Sequence, residues 1–351
     1  MDAVKGLHEP VGTSSGLTES VGELNAANLL AAELLPLGNA PVNPPATTPG
    51  IPPTGGAPAS FRILADTGAL EQAVAAALLA TTPGSASLAR LSNLSTRARV
   101  TADNPLLTGF AITGTVERTV LVRAVGPGLT DFGVTGALEA PLLRLYDATG
   151  NVLAENTGWA GAPALTQAAA ISGAFPLATG HADSAVLVSL APGNYSLQVL
   201  DSRSTNGGVA LAEIYDVAGG SASRLANASS RSSLTAADGV LISGFVITGT
   251  TNGSLLVRGV GPALTQFGVT GALADPVVSL YDGNGRMVAN NDNWSATSLV
   301  SSASSVGAFA LVAGSKDAAL TVTLTPGAYT AQVSGATGTT GGALLEIYEL
   351  K

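Results

Sequence analysis

Leu255-Leu256-Val257-Arg258-Gly259-Val260-Gly261-Pro262, followed by FGVTGALADP at 267–276 and by Leu280-Tyr281-Asp282, has a second copy earlier in the chain. There it reads Leu121-Val122-Arg123-Ala124-Val125-Gly126-Pro127, then FGVTGALEAP at 132–141, then Leu145-Tyr146-Asp147. Arg123 and Arg258, Pro127 and Pro262, Phe132 and Phe267, Tyr146 and Tyr281, and Trp159 and Trp294 are each 135 positions apart, so the register runs without a gap through a long segment. The chain carries an internal duplication.

The copies extend in both directions with slips of one or two residues. RLSNLSTRARVT from Arg90 matches RLANASSRSSLT from Arg224, and Gly109-Phe110 matches Gly244-Phe245. Downstream, Gly173-Ala174-Phe175 matches Gly307-Ala308-Phe309, PGNYSLQV from Pro192 matches PGAYTAQV from Pro326, and Glu213-Ile214-Tyr215 matches Glu346-Ile347-Tyr348. Each unit has the size of an ordinary domain. The organisation expected is therefore an arm at 1–60, a strand-helix connector at 61–89, and repeats at 90–221 and 224–351 that superpose with almost no linker between them.

Composition sets the class. Charged residues make up 11% of the chain and aromatics 4%, while 43 glycines and 19 prolines supply turns, which favours a β-rich fold. A hydrophobic share of 46% provides a core for each repeat. The net charge of -9 is spread thinly and Lys and Arg are nowhere clustered, which argues against nucleic acid and against anionic membranes as partners. No cysteine is present, so disulfides, thiolate metal sites and a cysteine nucleophile are excluded together. No run approaches the roughly 18 apolar residues of a membrane span. The opening MDAVKGLHEPVG lacks the apolar stretch of a signal peptide, so an exported protein would have lost its targeting segment from this chain.

Within the arm, Ser20 and Glu23 have the spacing of a capping box, and Leu24, Ala27, Leu30, Ala31 and Leu34 recur at helical spacing, which predicts a short helix over 21–34. PLGNAPVNPPATTPGIPPTGGAP at 36–58 prefers extended polyproline geometry and forms a strap. Ser60 to Leu64 reads as one strand, and Leu70, Val74, Ala77 and Leu78 mark a second helix. In the first repeat the period changes to two, with strands expected at 90–99, 105–112, 118–125, 142–147, 151–155, 185–190, 195–200 and 208–215. Eight short antiparallel strands per repeat predict an all-β chain of two tandem sandwiches of jelly-roll type. Leu165–Ile171 and Ser298–Ser305 are the expected helical turns packed on them.

These residues carry a resemblance. LYDGNGRMVANNDNW followed by TPGAYTAQV resembles the strand-turn-strand and closing strand of bacterial pre-peptidase C-terminal domains, small secreted β-sandwiches. RLANASSR, GFVITGT, LLVRGVGPAL and FGVTGALADP resemble duplicated modules near the C-termini of large exported proteins of Verrucomicrobia-like bacteria. The likeness covers both repeats and not residues 1–89. It implies a bacterial protein, secreted or held at the cell surface, with a non-catalytic accessory role.

Sites of chemistry are few. Gly12-Thr13-Ser14-Ser15-Gly16 fits the pattern of a nucleophile elbow but has no strand before it, and only His8 and His181 exist to act as a base. Gly126-Pro127-Gly128 and Gly259-Val260-Gly261-Pro262 lack the third glycine of a phosphate loop and read as strand-ending turns. Asp282, Asn284 and Asp292 form a candidate calcium site, because hard oxygen donors gather around one hairpin and the pre-peptidase resemblance points the same way. The competing reading is an Asn- and Asp-rich turn. The first repeat has Thr157 and Gly158 where Asp292 and Asn293 stand, so any calcium belongs to the second. Arg123 and Arg258, in apolar strands, require either an outward face or a carboxylate, with Asp147 and Asp282 as candidate partners. Trp159 and Trp294 are either sugar-stacking platforms or aromatics at the edge of the core.

With no catalytic set, the expected function is that of an extracellular structural or assembly protein, a filament or surface-layer subunit that forms homo-oligomers through its N-terminal arm. A carbohydrate-binding or adhesion module that recognises glycans is the alternative, and an accessory C-terminal segment of a secreted enzyme is a third.

Overall fold

A computed structural model describes residues 61–63, 88–102, 105–203, 207–217, 222–234, 239–295 and 297–350. The two helices expected in 1–89, the proline-rich strap and the Gly12–Gly16 motif lie outside the described residues. After β1 (Phe61–Ile63), the first repeat runs β2 (Arg90–Val100), β3 (Leu106–Gly114), β4 (Arg118–Val125), β5 (Pro141–Asp147), β6 (Val152–Asn156), helix α1 (Pro163–Ser172), β7 (Ser184–Leu190), β8 (Gly193–Asp201) and β9 (Gly208–Asp216). The second runs β10 (Ser223–Leu234), β11 (Val240–Thr248), β12 (Gly253–Val260), β13 (Pro276–Asp282), β14 (Met287–Asn291), helix α2 (Thr297–Ser305), β15 (Ala318–Leu324), β16 (Gly327–Gly335) and β17 (Gly341–Leu350).

Strand pairing defines the fold. In the first repeat β2 pairs with β9, β9 with β4 and β4 with β7, while β3 pairs with β8, β8 with β5 and β5 with β6. The first strand thus lies beside the last and the second beside the next to last, which is the winding of a jelly roll. The second repeat wraps the same way through β10–β17–β12–β15 and β11–β16–β13–β14. All of these pairings are antiparallel.

Period-two alternation builds the interior. In β8, Tyr195, Leu197 and Val199 are buried, while Asn194, Ser196 and Gln198 between them are half-buried. The inward residues of both sheets of each repeat form one apolar cluster, in which Phe110 stacks on Tyr195 at 5.5 Å and Phe245 on Tyr329 at 5.6 Å. Each tyrosine hydroxyl then donates across the preceding Pro-Gly turn, Tyr195 to Ala191 O at 2.7 Å and Tyr329 to Thr325 O at 2.8 Å.

The repeats are not beads on a string. β3 pairs with β10 along Leu107 to Gly114, and β2 pairs with β11 along Arg90 to Arg97. Because β3 corresponds to β11 and β2 to β10, the two junctions are the same contact seen from either repeat, and the chain has an internal pseudo-twofold. Gly109 faces Ser229 and Gly244 faces Ser95. On the axis the equivalent residues meet their counterparts: Leu91 pairs with Leu225, and Thr96 Oγ1 lies 2.5 Å from Ser230 Oγ. The result is two long sheets face to face, β6-β5-β8-β3-β10-β17-β12-β15 and β14-β13-β16-β11-β2-β9-β4-β7-β1.

β1 seats antiparallel on β7 of its own chain, with Phe61 opposite Leu190, Arg62 opposite Ser189 and Ile63 opposite Val188. The strand expected at 60–64 is thus present over Phe61–Ile63 and pairs in cis.

Since each core is built on sheets that continue into the other repeat, unfolding of either repeat exposes the edges of its neighbour. We expect one calorimetric transition for the whole chain. Phe110→Ala and Phe245→Ala should each lower that same transition, at a cost of about 3–5 kcal/mol. Two separable transitions, each sensitive to only one substitution, would contradict the continuous-sheet account.

Candidate functional site

The outward face of β4 carries Leu121, Arg123 and Val125, and in each repeat this face is roofed by a helix and the loop after it, so outward residues become buried. Arg123 and Glu213 lie side by side on β4 and β9 and are 1% and 0% exposed. Arg123 Nε donates to Glu213 Oε2 at 2.9 Å and Nη2 lies 2.6 Å from the same oxygen. Nη1 donates to Phe175 O at 2.6 Å, and the guanidinium lies 4.2 Å from the Phe175 ring centroid. Tyr215 donates its hydroxyl to the second carboxylate oxygen of Glu213 at 2.6 Å. Burial, followed by the charge of Glu213, holds the Tyr215 hydroxyl well above the ordinary phenol value, so it remains a donor.

The second repeat reproduces the cluster atom for atom. Arg258 Nε reaches Glu346 Oε2 at 2.9 Å, Nη1 reaches Phe309 O at 2.6 Å, and Tyr348 donates to Glu346 at 2.7 Å. The partners are therefore Glu213 and Glu346, which replace the expected Asp147 and Asp282. Those aspartates sit at the ends of β5 and β13 in the opposite sheet, beyond reach of an outward-facing arginine. The signal was in the sequence: Glu-Ile-Tyr recurs with the arginines, and it places a carboxylate and a phenol on the same face of one strand.

A second buried carboxylate fastens the turn after β4. Asp183 accepts Gly126 N–H at 2.8 Å and Gly128 N–H at 3.1 Å, and Asp317 accepts Gly261 N–H at 2.8 Å and Ala263 N–H at 3.2 Å. The glycine-rich turn does hold an anion, but the anion is internal. Gly126 and Gly261 are required there because a Cβ would sit 2.1 Å from Leu138 O or 2.0 Å from Leu273 O. Asp183 and Asp317 stand 60 and 59 residues after Arg123 and Arg258, and that near-equal spacing is the cue the sequence offers for them. The two sites differ at one neighbour. His181 Nδ1 stands 3.7 Å from Asp183, whereas Ser315, at the matching place, donates to Asp317 at 2.6 Å.

The calcium candidates each take part in local hydrogen bonds. Asp282 Oδ1 accepts the backbone N–H of Asn284 and of Arg286, both at 3.0 Å, and Oδ2 accepts Arg286 Nε at 3.1 Å. These bonds hold the Asp282 carboxyl below its ordinary pKa, with the Arg286 backbone bond the largest cause. Asn284 contributes its backbone to that turn. Asp292 is exposed and accepts from Asn293 Nδ2 at 3.0 Å. Among the described residues no three His, Asp or Glu side chains converge as a metal site. Asp147 closes the matching turn in the first repeat, accepting from Thr149 and Asn151, so the repeated function of the position is to cap a turn. Trp159 is buried against α1, with Nε1 donating to Ala178 O at 3.2 Å, and Trp294 is half-buried, with Nε1 donating to Ser315 Oγ at 3.1 Å. Both lie at the edge of the core. Among the described residues the exposed aromatics are Phe132 and Phe267, edge-on to Phe175 and Phe309 at 4.9 Å in each case.

Among the described residues no helix is long and apolar enough to cross a membrane. No protein-family model matches this chain. No curated protein matches it either. Among solved structures, a protein from Eubacterium rectale described as secreted aligns over 73% of this chain and 69% of its own, at 9% identity and a TM-score of 0.17. The infectious bursal disease virus VP2 subviral particle aligns over 80% and 78%, at 11% identity and a TM-score of 0.16. Bacillus subtilis oxalate decarboxylase aligns over 75% and 73%, at 8% identity and a TM-score of 0.14. Similarity of this size carries no argument about this protein.

Arg123→Met alone should cost about 3–5 kcal/mol, because it strands Glu213 in the interior. The triple change Arg123→Met, Glu213→Leu, Tyr215→Phe should recover most of that loss, as measured by urea unfolding.

Burial, opposed by the Gly126 and Gly128 bonds, raises the Asp183 pKa above the ordinary carboxylate value. The folded state then binds this proton more tightly than the unfolded state. The stability linked to Asp183 is fully present below the ordinary carboxylate value and is lost as pH rises through the raised one. Asp183→Asn should flatten the stability profile in that window and leave the alkaline side unchanged. Calcium at roughly millimolar level should leave the melting temperature where chelator leaves it, since the Asp282 oxygens are already engaged.

Proposed function

We propose that this protein is a non-catalytic structural subunit that acts outside the bacterial cell and assembles with copies of itself. The observation that carries the reading is the pseudo-twofold sheet junction: the chain already uses edge-to-edge strand pairing to join two jelly rolls into one elongated body. That body terminates in sheet edges at both ends. The charged groups of the interior support the same reading, since Arg123, Glu213, Arg258, Glu346, Asp183 and Asp317 are buried and spend their bonds on the fold itself. Groups held in this way fix geometry. They do not present a nucleophile or a proton to a substrate.

Contacts that repeat head to tail propagate unless the rotation closes a ring. The extracellular placement follows the family resemblance of the repeats and agrees with a surface of Ser, Thr, Asn and Gly carrying little charge.

Sedimentation velocity over a range of concentrations, with electron micrographs of the full chain and of a chain lacking residues 1–63, so that the Phe61–Ile63 strand is removed with the arm, tests the proposal. The full chain should form oligomers or filaments as concentration rises, and the truncated chain should assemble less. A full chain that stays monomeric at every concentration would end the assembly reading.

A further inference from the structure

The two outer strands that correspond to each other, β7 and β15, have different surroundings. β7 carries β1 along Val188 to Leu190, and there Val188 and Leu190 are 0% exposed and Ser189 5%. On β15, among the described residues, no strand occupies the outer edge. Leu320 and Val322 are only partly buried against the core, and Thr321 and Thr323 are exposed. β15 reads AALTVTL, with no charge and no proline, so it lacks the usual guards of a free edge. The rest of the surroundings match: β15 pairs with β12 as β7 pairs with β4, over seven positions in each case.

From this we infer that β15 is an acceptor edge for the Phe61–Ile63 strand of a second copy of the chain, bound antiparallel in the register used on β7. Transferring that register by the 134-residue offset between β7 and β15 sets Phe61 opposite Leu324, Arg62 opposite Thr323 and Ile63 opposite Val322. The occupant is named by the molecule itself, because the same strand already covers the equivalent edge.

Each copy owns one such strand and two edges that fit it. Donation to a neighbour exchanges one ladder for an equivalent one, as in domain swapping. Residues 64–89 tether the strand to β2, and 26 residues reach at most on the order of 85 Å, enough to leave the parent molecule. The tethered site competes at an effective concentration of about millimolar, so transfer between molecules rises with protein concentration. Because the contact is heterologous, a copy that donates its strand can still accept one, and the association can continue.

The inference rests on the assembly reading above. The chain has no cysteine, so single cysteines report contacts without background. Full-length Arg62→Cys and full-length Thr323→Cys are mixed at increasing concentration under mild oxidation and resolved without reductant. Melting temperatures confirm that each variant is folded, and Arg62→Cys combined with Ser189→Cys in one chain reports the internal contact. The expected result is a mixed dimer of the Arg62→Cys and Thr323→Cys chains. It should grow with concentration and exceed both self-linked dimers by severalfold, with peptide mapping that joins positions 62 and 323.

A Thr323→Cys chain that links mainly to itself would show that two β15 edges pair with each other, and would overturn the inference. Oligomers in sedimentation without a 62–323 link would overturn it as well, while leaving the assembly reading intact. Monomers throughout would end both.

Discussion

A jelly roll has four edge strands, two at each end, and every one of them carries backbone donors and acceptors that need partners or water. In this chain one end of each repeat is satisfied by the same end of the other, through β3 with β10 and β11 with β2. Both pairings must form together, since a pseudo-twofold that makes one makes the other. The small residues follow from this constraint. Gly109 and Gly244 stand opposite Ser229 and Ser95, and the hydroxyls of Thr96, Ser230 and Ser243 bond to one another in the buried centre. Bulges fall at equivalent places, between Leu225 and Asn227 in one junction and at Val246 and Ile247 in the other. They twist the sheets without losing the register that puts Leu91 against Leu225.

The outward faces are governed by a different economy of charge. A helix of small residues such as α1, with Ala164, Ala168 and Ala169 buried, covers the sheet without much area of its own, so the loop behind it needs another tie. Arg123 supplies that tie by bonding the carbonyl of Phe175 while stacking near its ring. An arginine in this position is tolerable only because Glu213 neutralises it and Tyr215 in turn satisfies Glu213. Asp183 performs the matching task for the turn at Gly126. A chain with 11% charged residues thus commits several of them to the interior. Their repetition at the same places in both copies explains why the LVR, GAF and EIY segments align while the strand surfaces have drifted.

Most of the fold was legible in the sequence because its signals are periodic and local. The strands expected at 118–125 and 208–215 are β4 and β9, and the helical turn expected at Leu165–Ile171 is the centre of α1. Alternation and β-branching report the side chain's face, and Pro and Gly report where it stops. The junction between repeats was hidden for the opposite reason: antiparallel edge pairing leaves no local mark beyond small polar residues, and those also suit a solvent-facing strand. The arginine partners were misjudged because Asp147 is close in sequence to the strand, whereas the register that brings Glu213 beside Arg123 is fixed by the last strand of the repeat. At Asp282 the same Asn- and Asp-rich composition that caps a turn would also suit a hairpin that holds a cation, so composition alone does not separate the two.

The divergence between the two copies is itself physical evidence. β7 is buried along its whole length, and Leu187 packs under the helix beside Leu121. At the same places β15 alternates, with Leu320 and Val322 toward the core and Thr321 and Thr323 toward water. A strand whose outer face meets water suits a hydroxyl at Thr321 where the covered β7 has Leu187, although Ser189 and Thr323 are hydroxyls in both copies, and a strand that is later paired suits an edge free of charge and proline. β15 satisfies both conditions at once. Its outer face suits a strand that spends time in water, and its unguarded edge suits one that is later paired. The duplication therefore produced two copies of one fold that differ at the far end of the second, where contact with another molecule would be made and lost.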